Sequence, residues 1–144
     1  MSPVVVDASL AFKWVATEDY TAEAMALLAR WQAQQIEPTV PSWFACEIAN
    51  VLYQEIRANT MTLADAQRNL SDILSAVTVH DFDPATAARA LEIAHTFHQR
   101  RSYDAHYVAL AEHLGCELWT ADETFWNATK KTFTRVRWIG EVVV

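Results

Sequence analysis

Pro3-Val4-Val5-Val6-Asp7-Ala8-Ser9 is the stretch on which the reading of this chain turns. A run of β-branched residues reads as a strand, and Asp7 closes it where a turn or helix cap would begin. Four more apolar runs bounded by turn or cap residues follow, around Thr39-Val40, at Val77-Thr78-Val79, at Glu117-Leu118-Trp119 and at Val136-Arg137-Trp138. Between them the apolar spacing changes to that of helices. Thr21 to Gln34 places Ala24, Leu27, Leu28 and Trp31 on one face, and Pro41 to Arg57 does the same with Phe44, Ile48, Val51, Leu52 and Ile56, with Pro41 expected at the first helical position. Thr62 is expected to cap a helix carrying Ala66, Leu70, Ile73 and Leu74, and Asp83-Pro84 is a cap followed by a first-turn proline. Strands separated by helices predict an α/β fold with a central parallel sheet of about four or five strands flanked by helices.

In such sheets ligands gather outside the carboxyl ends of the strands. Asp7 and Asp122 both follow a strand, Asp104 opens the helix Tyr103-to-Leu114, and Glu47 lies in an otherwise apolar stretch of the helix ending at Arg57. Brought together, the four would repel: two unit charges about 4 Å apart cost about 4 kcal/mol at an effective dielectric of ~20. A hard cation removes that repulsion, and Mg²⁺ or Mn²⁺ suits an all-oxygen donor set. An acid at a helix start also has an ordinary structural role open to it. Asp104, for example, fits a helix N-terminus whether or not it binds metal.

Composition limits the alternatives. The 144 residues suffice for one domain, residues 1–144, and contain no linker-like stretch. No apolar run reaches membrane-spanning length and the amino terminus reads directly into a strand, so a cytoplasmic protein with no membrane partner is expected. Its two cysteines, Cys46 and Cys116, are then expected to be buried free thiols. A net charge of −7 argues against unspecific adhesion to nucleic acid, although Arg100-Arg101, Lys130-Lys131, Arg135 and Arg137 gather positive charge in the last third. With Gly115 and Gly140 the only glycines, there is no glycine-rich phosphate loop, so phosphate chemistry would fall to metal and side chains.

The four acids stand in recognisable frames. Val5-Val6-Asp7-Ala8-Ser9, Glu47-Ile48-Ala49-Asn50-Val51-Leu52, Tyr103-Asp104-Ala105-His106-Tyr107-Val108-Ala109-Leu110-Ala111 and Leu118-Trp119-Thr120-Ala121-Asp122-Glu123, in that order, resemble the successive motifs of a PIN-domain ribonuclease. With the closing Phe125-Trp126-Asn127-Ala128-Thr129-Lys130-Lys131, the whole chain is most similar to the VapC-type toxins of bacterial toxin–antitoxin pairs. The resemblance implies a single PIN-like domain, endoribonuclease activity dependent on Mg²⁺ or Mn²⁺, a homodimer, and inhibition by a cognate antitoxin protein. It assigns Asp7, Glu47, Asp104 and Asp122 to catalysis and metal binding, with Ser9, Asn50 and Thr120 as polar supports that orient carboxylates or metal-bound water. Some relatives carry a further acid, where this chain offers Glu123 or Asn127.

Several residues invite other readings. Lys13, Arg100, Arg101 or Lys130 could steer an RNA backbone, and single-stranded or loop RNA is the expected target because its bases can stack on Trp14, Trp43, Trp119 or Trp126. His95, His98 and His106 allow a transition-metal site to be imagined, with a solvent-facing stripe as the plainer reading of the first two. A phosphatase or receiver-like domain would use Asp7 as the phosphorylated group beside Mg²⁺, but no lysine follows the later strand before Lys130. A non-toxin PIN nuclease of RNA processing and a non-catalytic binding module on the same fold complete the alternatives.

Overall fold

The computed structural model describes residues 2–81, 83–98 and 103–144. Five parallel strands form one sheet: β1 (Ser2–Val6), β2 (Ile36–Pro41), β3 (Thr78–His80), β4 (Leu118–Thr120) and β5 (Val136–Trp138). They lie in the order β3-β2-β1-β4-β5. The central position belongs to the Val-rich strand. Val4, Val5 and Val6 are buried, as a strand covered on both faces requires. Because the chain builds outward from β1 first through β2 and β3 and then through β4 and β5, the strand order reverses between β1 and β4. In open parallel sheets ligands gather at the carboxyl ends of the strands beside such a reversal, and here those two strands end next to Asp7 and Asp122.

The helices are α1 (Ala8–Phe12), α2 (Thr21–Ala33), α3 (Phe44–Arg57), α4 (Leu63–Ser75), α5 (Pro84–Thr96), α6 (Tyr103–Leu114) and α7 (Glu123–Thr129), followed by a 3₁₀ turn, Ile139–Glu141. Thr62 caps α4 by accepting from the Asp65 N–H at 3.1 Å, and Asp83 caps α5 ahead of Pro84, both as the sequence predicts. The central helix is α6, which packs on β1, β2, β4 and α5. Ala105, Ala109 and Ala111 let it approach closely, and Tyr107, Val108 and Leu110 fill the space between. It stops in a Schellman turn: Gly115, at φ +66°, donates to the Glu112 carbonyl at 3.1 Å, and Cys116 donates to the Ala111 carbonyl at 3.0 Å. The left-handed conformation that this turn needs is open to glycine at little cost, and it aims the chain into β4.

Two sequence expectations need correction here. Pro41 does not start a helix; it ends β2. Pairing of β2 with β1 finishes at Val5↔Thr39, so Pro41 lies past the end of that ladder, where a residue without an N–H is tolerated. Helix α3 therefore begins at Phe44, with Trp43 at the cap position and no side-chain cap bond. Cys46 is not buried. Both cysteines are free, Cys116 half-buried and Cys46 exposed, because Cys46 falls outside the stripe of Phe44, Ile48 and Leu52 that α3 presents to the core.

Candidate functional site

All four candidate acids stand at the amino-terminal ends of helices. Asp7 is the cap of α1 and Asp122 the cap of α7, while Glu47 and Asp104 lie in the first turns of α3 and α6. The unpaired N–H groups and the positive end of each helix favour a negative charge at these positions. The cap bonds are explicit. Asp7 Oδ1 accepts from the Leu10 N–H at 3.0 Å, and Asp122 Oδ1 accepts from the Phe125 N–H at 3.0 Å.

Asp7 is the most constrained of the four, at 5% exposure. The Ser9 hydroxyl donates to its Oδ1 at 2.7 Å, and the Thr120 hydroxyl donates to its Oδ2. Ser9 and Thr120 also accept backbone N–H bonds, from Ala121 at 3.2 Å and from Asp122 at 3.0 Å. Two hydroxyls thus fasten the end of β1 to the end of β4 and set the orientation of the carboxylate between them. Burial nevertheless dominates its electrostatics and pushes the Asp7 carboxyl up to about 6, with the charge of Asp104 adding to the rise and the bonds from Thr120, Ser9 and Leu10 opposing it.

Glu47 is pushed up to about 7 by burial and then by the charges of Asp7 and Asp104. Its Oε2 accepts from the Tyr107 hydroxyl at 3.2 Å, which partly offsets the rise. Asp104 is raised by burial and by Asp122. Each acid is therefore electrostatically coupled to at least one other, and the chain Glu47–Asp7–Asp104–Asp122 includes all four. Tyr107 is a residue that reasoning from the sequence alone passed over. It is 1% exposed, with its own titration raised by burial and by Glu47 and Asp7. The available signal was its spacing: three residues after Asp104 on a helix, it shares that residue's face.

Other expected members stand differently. Asn50 is not among the groups bonded to the four acids; its amide oxygen accepts from Gln54 at 3.4 Å, and it lines a cleft with Glu47. Asn127 accepts from Lys130 at 2.9 Å, while Glu123 is exposed in the first turn of α7. Lys13 is tied to Glu18 at 2.8 Å and to the Asp19 carbonyl at 2.7 Å, and Arg137 is paired with Glu117 and Glu141. Arg100 and Arg101 lie outside the described residues. His95 and His98 are exposed, as their plainer reading has it.

Among the described residues no group of three or more His, Cys, Asp or Glu side chains is arranged to hold a metal ion. Bare carboxylates repel, so a spacing wider than a closed cage is what the charges alone favour. The donor chemistry fits Mg²⁺ or Mn²⁺: the groups are hard oxygen donors, carry excess negative charge in a partly buried place, and need supply only a few direct ligands, since Mg²⁺ keeps several of its waters.

Comparison with curated proteins finds no match. Among solved structures the chain is similar to PAE2754 from Pyrobaculum aerophilum, with 24% identity, TM-score 0.70 and coverage of 96% of this chain and 92% of that one. It is also similar to VapBC2 from Rickettsia felis bound to a DNA fragment from their promoter, with 13% identity, TM-score 0.67 and coverage of 94% and 96%. A third likeness is to VapC20 of Mycobacterium tuberculosis, described as a sarcin–ricin loop cleaving toxin, with 16% identity, TM-score 0.64 and coverage of 93% and 98%. At these identities the likenesses establish the fold. The family model for the PIN domain matches residues 4–131, a span that begins in the first valine of β1 and includes every carboxylate of the coupled chain. Sequence match and parallel sheet agree, and the chain belongs to the PIN-domain family.

Proposed function

We propose that this protein is a metal-dependent endoribonuclease, the VapC-type toxin of a toxin–antitoxin pair, and that Asp7, Glu47, Asp104 and Asp122 form its catalytic and metal-binding site. The reading is supported by the placement of the four carboxylates at four separate helix starts, with Asp7 and Asp122 following the two strands between which the strand order reverses, and by the burial that raises Asp7, Glu47 and Asp104. Nothing in the packing calls for it: each repulsion costs stability, and function is the usual reason to retain such a cost. When bound, Mg²⁺ or Mn²⁺ supplies a water of lowered pKa and charge to stabilise a phosphodiester under attack. The protein's own part is positional. Ser9 and Thr120 fix Asp7, Tyr107 holds Glu47, and the helix starts favour the ionised acids.

The same proposal takes the whole of residues 1–144 as one PIN-like domain, since β5 completes the sheet and the 3₁₀ turn packs against α2. Single-stranded or loop RNA is the substrate, in keeping with the loop-cleaving activity ascribed to the similar VapC20. A homodimer and a cognate antitoxin are the partners. Tyr53 on α3 and Leu63 on α4 are 55% and 62% exposed and offer apolar surface to one or both. The cytoplasm is the proposed location, where free thiols such as Cys46 and Cys116 persist; no helix among the described residues is long and apolar enough to cross a membrane.

The test is cleavage of total RNA by purified protein with and without Mn²⁺, with mapping of the new 5′ ends. Asp7→Asn, Asp104→Asn and Asp122→Asn should each lower the rate by at least a hundredfold while retaining the fold. Unchanged cutting in excess chelator refutes the metal site. Efficient cutting that the product of the adjacent gene does not inhibit would favour a PIN nuclease of RNA processing over a toxin.

A further inference from the structure

Beside Glu47 lies a cleft of about 400 Å³ lined by Trp43, Cys46, Glu47, Asn50 and Tyr103, a volume within the range of roughly 300–1,000 Å³ for small-ligand pockets. We infer that this cleft is a nucleobase subsite, in which one unpaired base of the RNA, adjacent to the cleaved phosphate, stacks on the Trp43–Tyr103 pair while its edge meets Asn50. The inference rests on the ribonuclease reading and adds to it where the substrate is gripped and by which chemistry.

Three observations carry it. The first is that the other indoles are committed elsewhere. Trp31 is 4% and Trp119 7% exposed, and the Arg137 guanidinium lies over the Trp119 ring. Trp14 donates to the Ala24 carbonyl at 3.2 Å. Trp126 is stacked on Trp138 at 5.2 Å and has Lys130 over its ring at 4.1 Å, and Tyr20 packs edge-on against Trp138. Of the six tryptophans in the chain, Trp43 is the one that lines the cleft containing a candidate catalytic acid.

The second observation is the packing of the aromatic pair. Trp43 meets Tyr103 with ring centres 5.5 Å apart, and its other contacts are edgewise, against Tyr107 at 5.1 Å and His106 at 5.8 Å. Tyr103 is 53% exposed, so the pair is anchored on the Trp43 side and open to solvent on the Tyr103 side. Trp43, held by two edgewise contacts, loses little side-chain entropy when a base arrives.

The third is its link to the acid. Tyr107, on which the Trp43 ring rests, is the residue whose hydroxyl donates to Glu47 at 3.2 Å. Trp43 and Glu47 also stand four residues apart at the start of α3, so the stacking platform and the carboxylate share one helix turn and one contacting side chain. Every base has a π-face, so stacking alone tolerates any sequence, whereas an amide such as that of Asn50 can both donate to and accept from a base edge and so prefer one.

The experiment uses the full chain with Mn²⁺ and a short single-stranded oligoribonucleotide containing the mapped cleavage step, together with copies of it in which each residue flanking that step is made abasic in turn. For the wild-type protein, one abasic position should raise KM about tenfold, the size expected of a lost stacking contact. Tyr103→Ala and Trp43→Leu should each raise KM by a similar factor on the intact oligonucleotide, with kcat changed far less, and both should abolish the abasic penalty at that same position. Tyr103→Ala decides the matter alone if Trp43→Leu fails to fold, because Tyr103 is largely exposed. A persistent abasic penalty in Tyr103→Ala, or an unaltered KM, overturns the subsite while leaving the nuclease intact. Loss of antitoxin binding in these variants with unaltered KM for RNA assigns the cleft to the protein partner and also overturns it. If wild-type protein cleaves no RNA at all, the ribonuclease reading fails, and the subsite with it.

Discussion

Replacing Tyr107 by Phe removes one oxygen from a side chain that is 1% exposed and leaves Glu47 Oε2 without the donor that reaches it at 3.2 Å. A hydrogen bond to a charged group contributes about 1.5–3 kcal/mol. Glu47 is only partly buried, so solvent screening points to the lower end of that range. Because the bond favours the ionised carboxylate, its loss moves the Glu47 titration upward from about 7, by roughly one pH unit at about 1.4 kcal/mol per unit. Metal binding needs the carboxylate ionised, so protons and cations compete for it. Tyr107→Phe should therefore weaken Mn²⁺ binding several-fold at pH 7, with most of the affinity recovered by about pH 9, and the acid limb of the cleavage profile should move the same way. With that buried bond gone, a loss of about 1 kcal/mol in stability is expected. Calorimetric titration of wild type and variant with Mn²⁺ between pH 6 and pH 9 checks this. Equal affinities with equal pH dependence would falsify the claim that Tyr107 controls Glu47.

Stability should depend on pH in an unusual direction. Asp7, Glu47 and Asp104 all have folded values above their unfolded ones, so the folded state holds their protons more tightly; for Asp7 and Glu47 the stabilisation is complete below about pH 4 and is lost as pH rises through 6 to 7. For Asp7 alone, the rise from 3.8 to about 6 corresponds to on the order of 3 kcal/mol, so metal-free protein should melt lower at pH 8 than at pH 5; the opposite order refutes the raised titrations. Millimolar Mn²⁺ should restore the melting temperature at neutral pH, by about 2.7 kcal/mol at ~100 times its Kd, and Asp104→Asn should blunt that response; identical responses would make Asp104 a purely structural charge. Thr120→Val keeps the shape but removes both the donor to Asp7 and the acceptor of the Asp122 N–H, so a loss of about 1–3 kcal/mol and of most cleavage activity is expected, with Thr120→Ser close to wild type. Light scattering at micromolar concentration should give the mass of a dimer, and a monomer that fails to assemble with the adjacent gene's product contradicts the proposed partners.

The local rules were legible in the sequence because their causes are local. Thr62 and Asp83 cap helices through atoms two or three residues away, and Gly115 ends α6 within a single turn. The valines of β1 marked a buried strand wherever it lay, and the alternation of strand and helix implied a parallel sheet. The four acids were legible as candidates through their motif frames, Ser9 and Thr120 with them. Where a residue's role depends on a neighbour distant in sequence, the reading was incomplete or wrong. Pro41 could start a helix or end a strand, and the register of β2 on β1 decided it. Cys46 was exposed by the rotation of α3 about its axis, which the packing of Phe44, Ile48 and Leu52 sets. Asn50 accepts from Gln54 and lines a cleft with Glu47, neighbours that only the turn of α3 brings to it.

What the sequence by itself determined is therefore the alternation of strands and helices and the caps at Thr62 and Asp83, with the acids as candidates. The tertiary structure alone decided the strand order that reverses between β1 and β4, the enclosure of Tyr107 against Glu47 from 60 residues away, and the grip of Thr120 on Asp7 across 113 residues. The physical reason is that hydrogen-bonded turns and caps are closed within one segment of chain, whereas burial and carboxylate coupling exist only once distant segments share the same low-dielectric space.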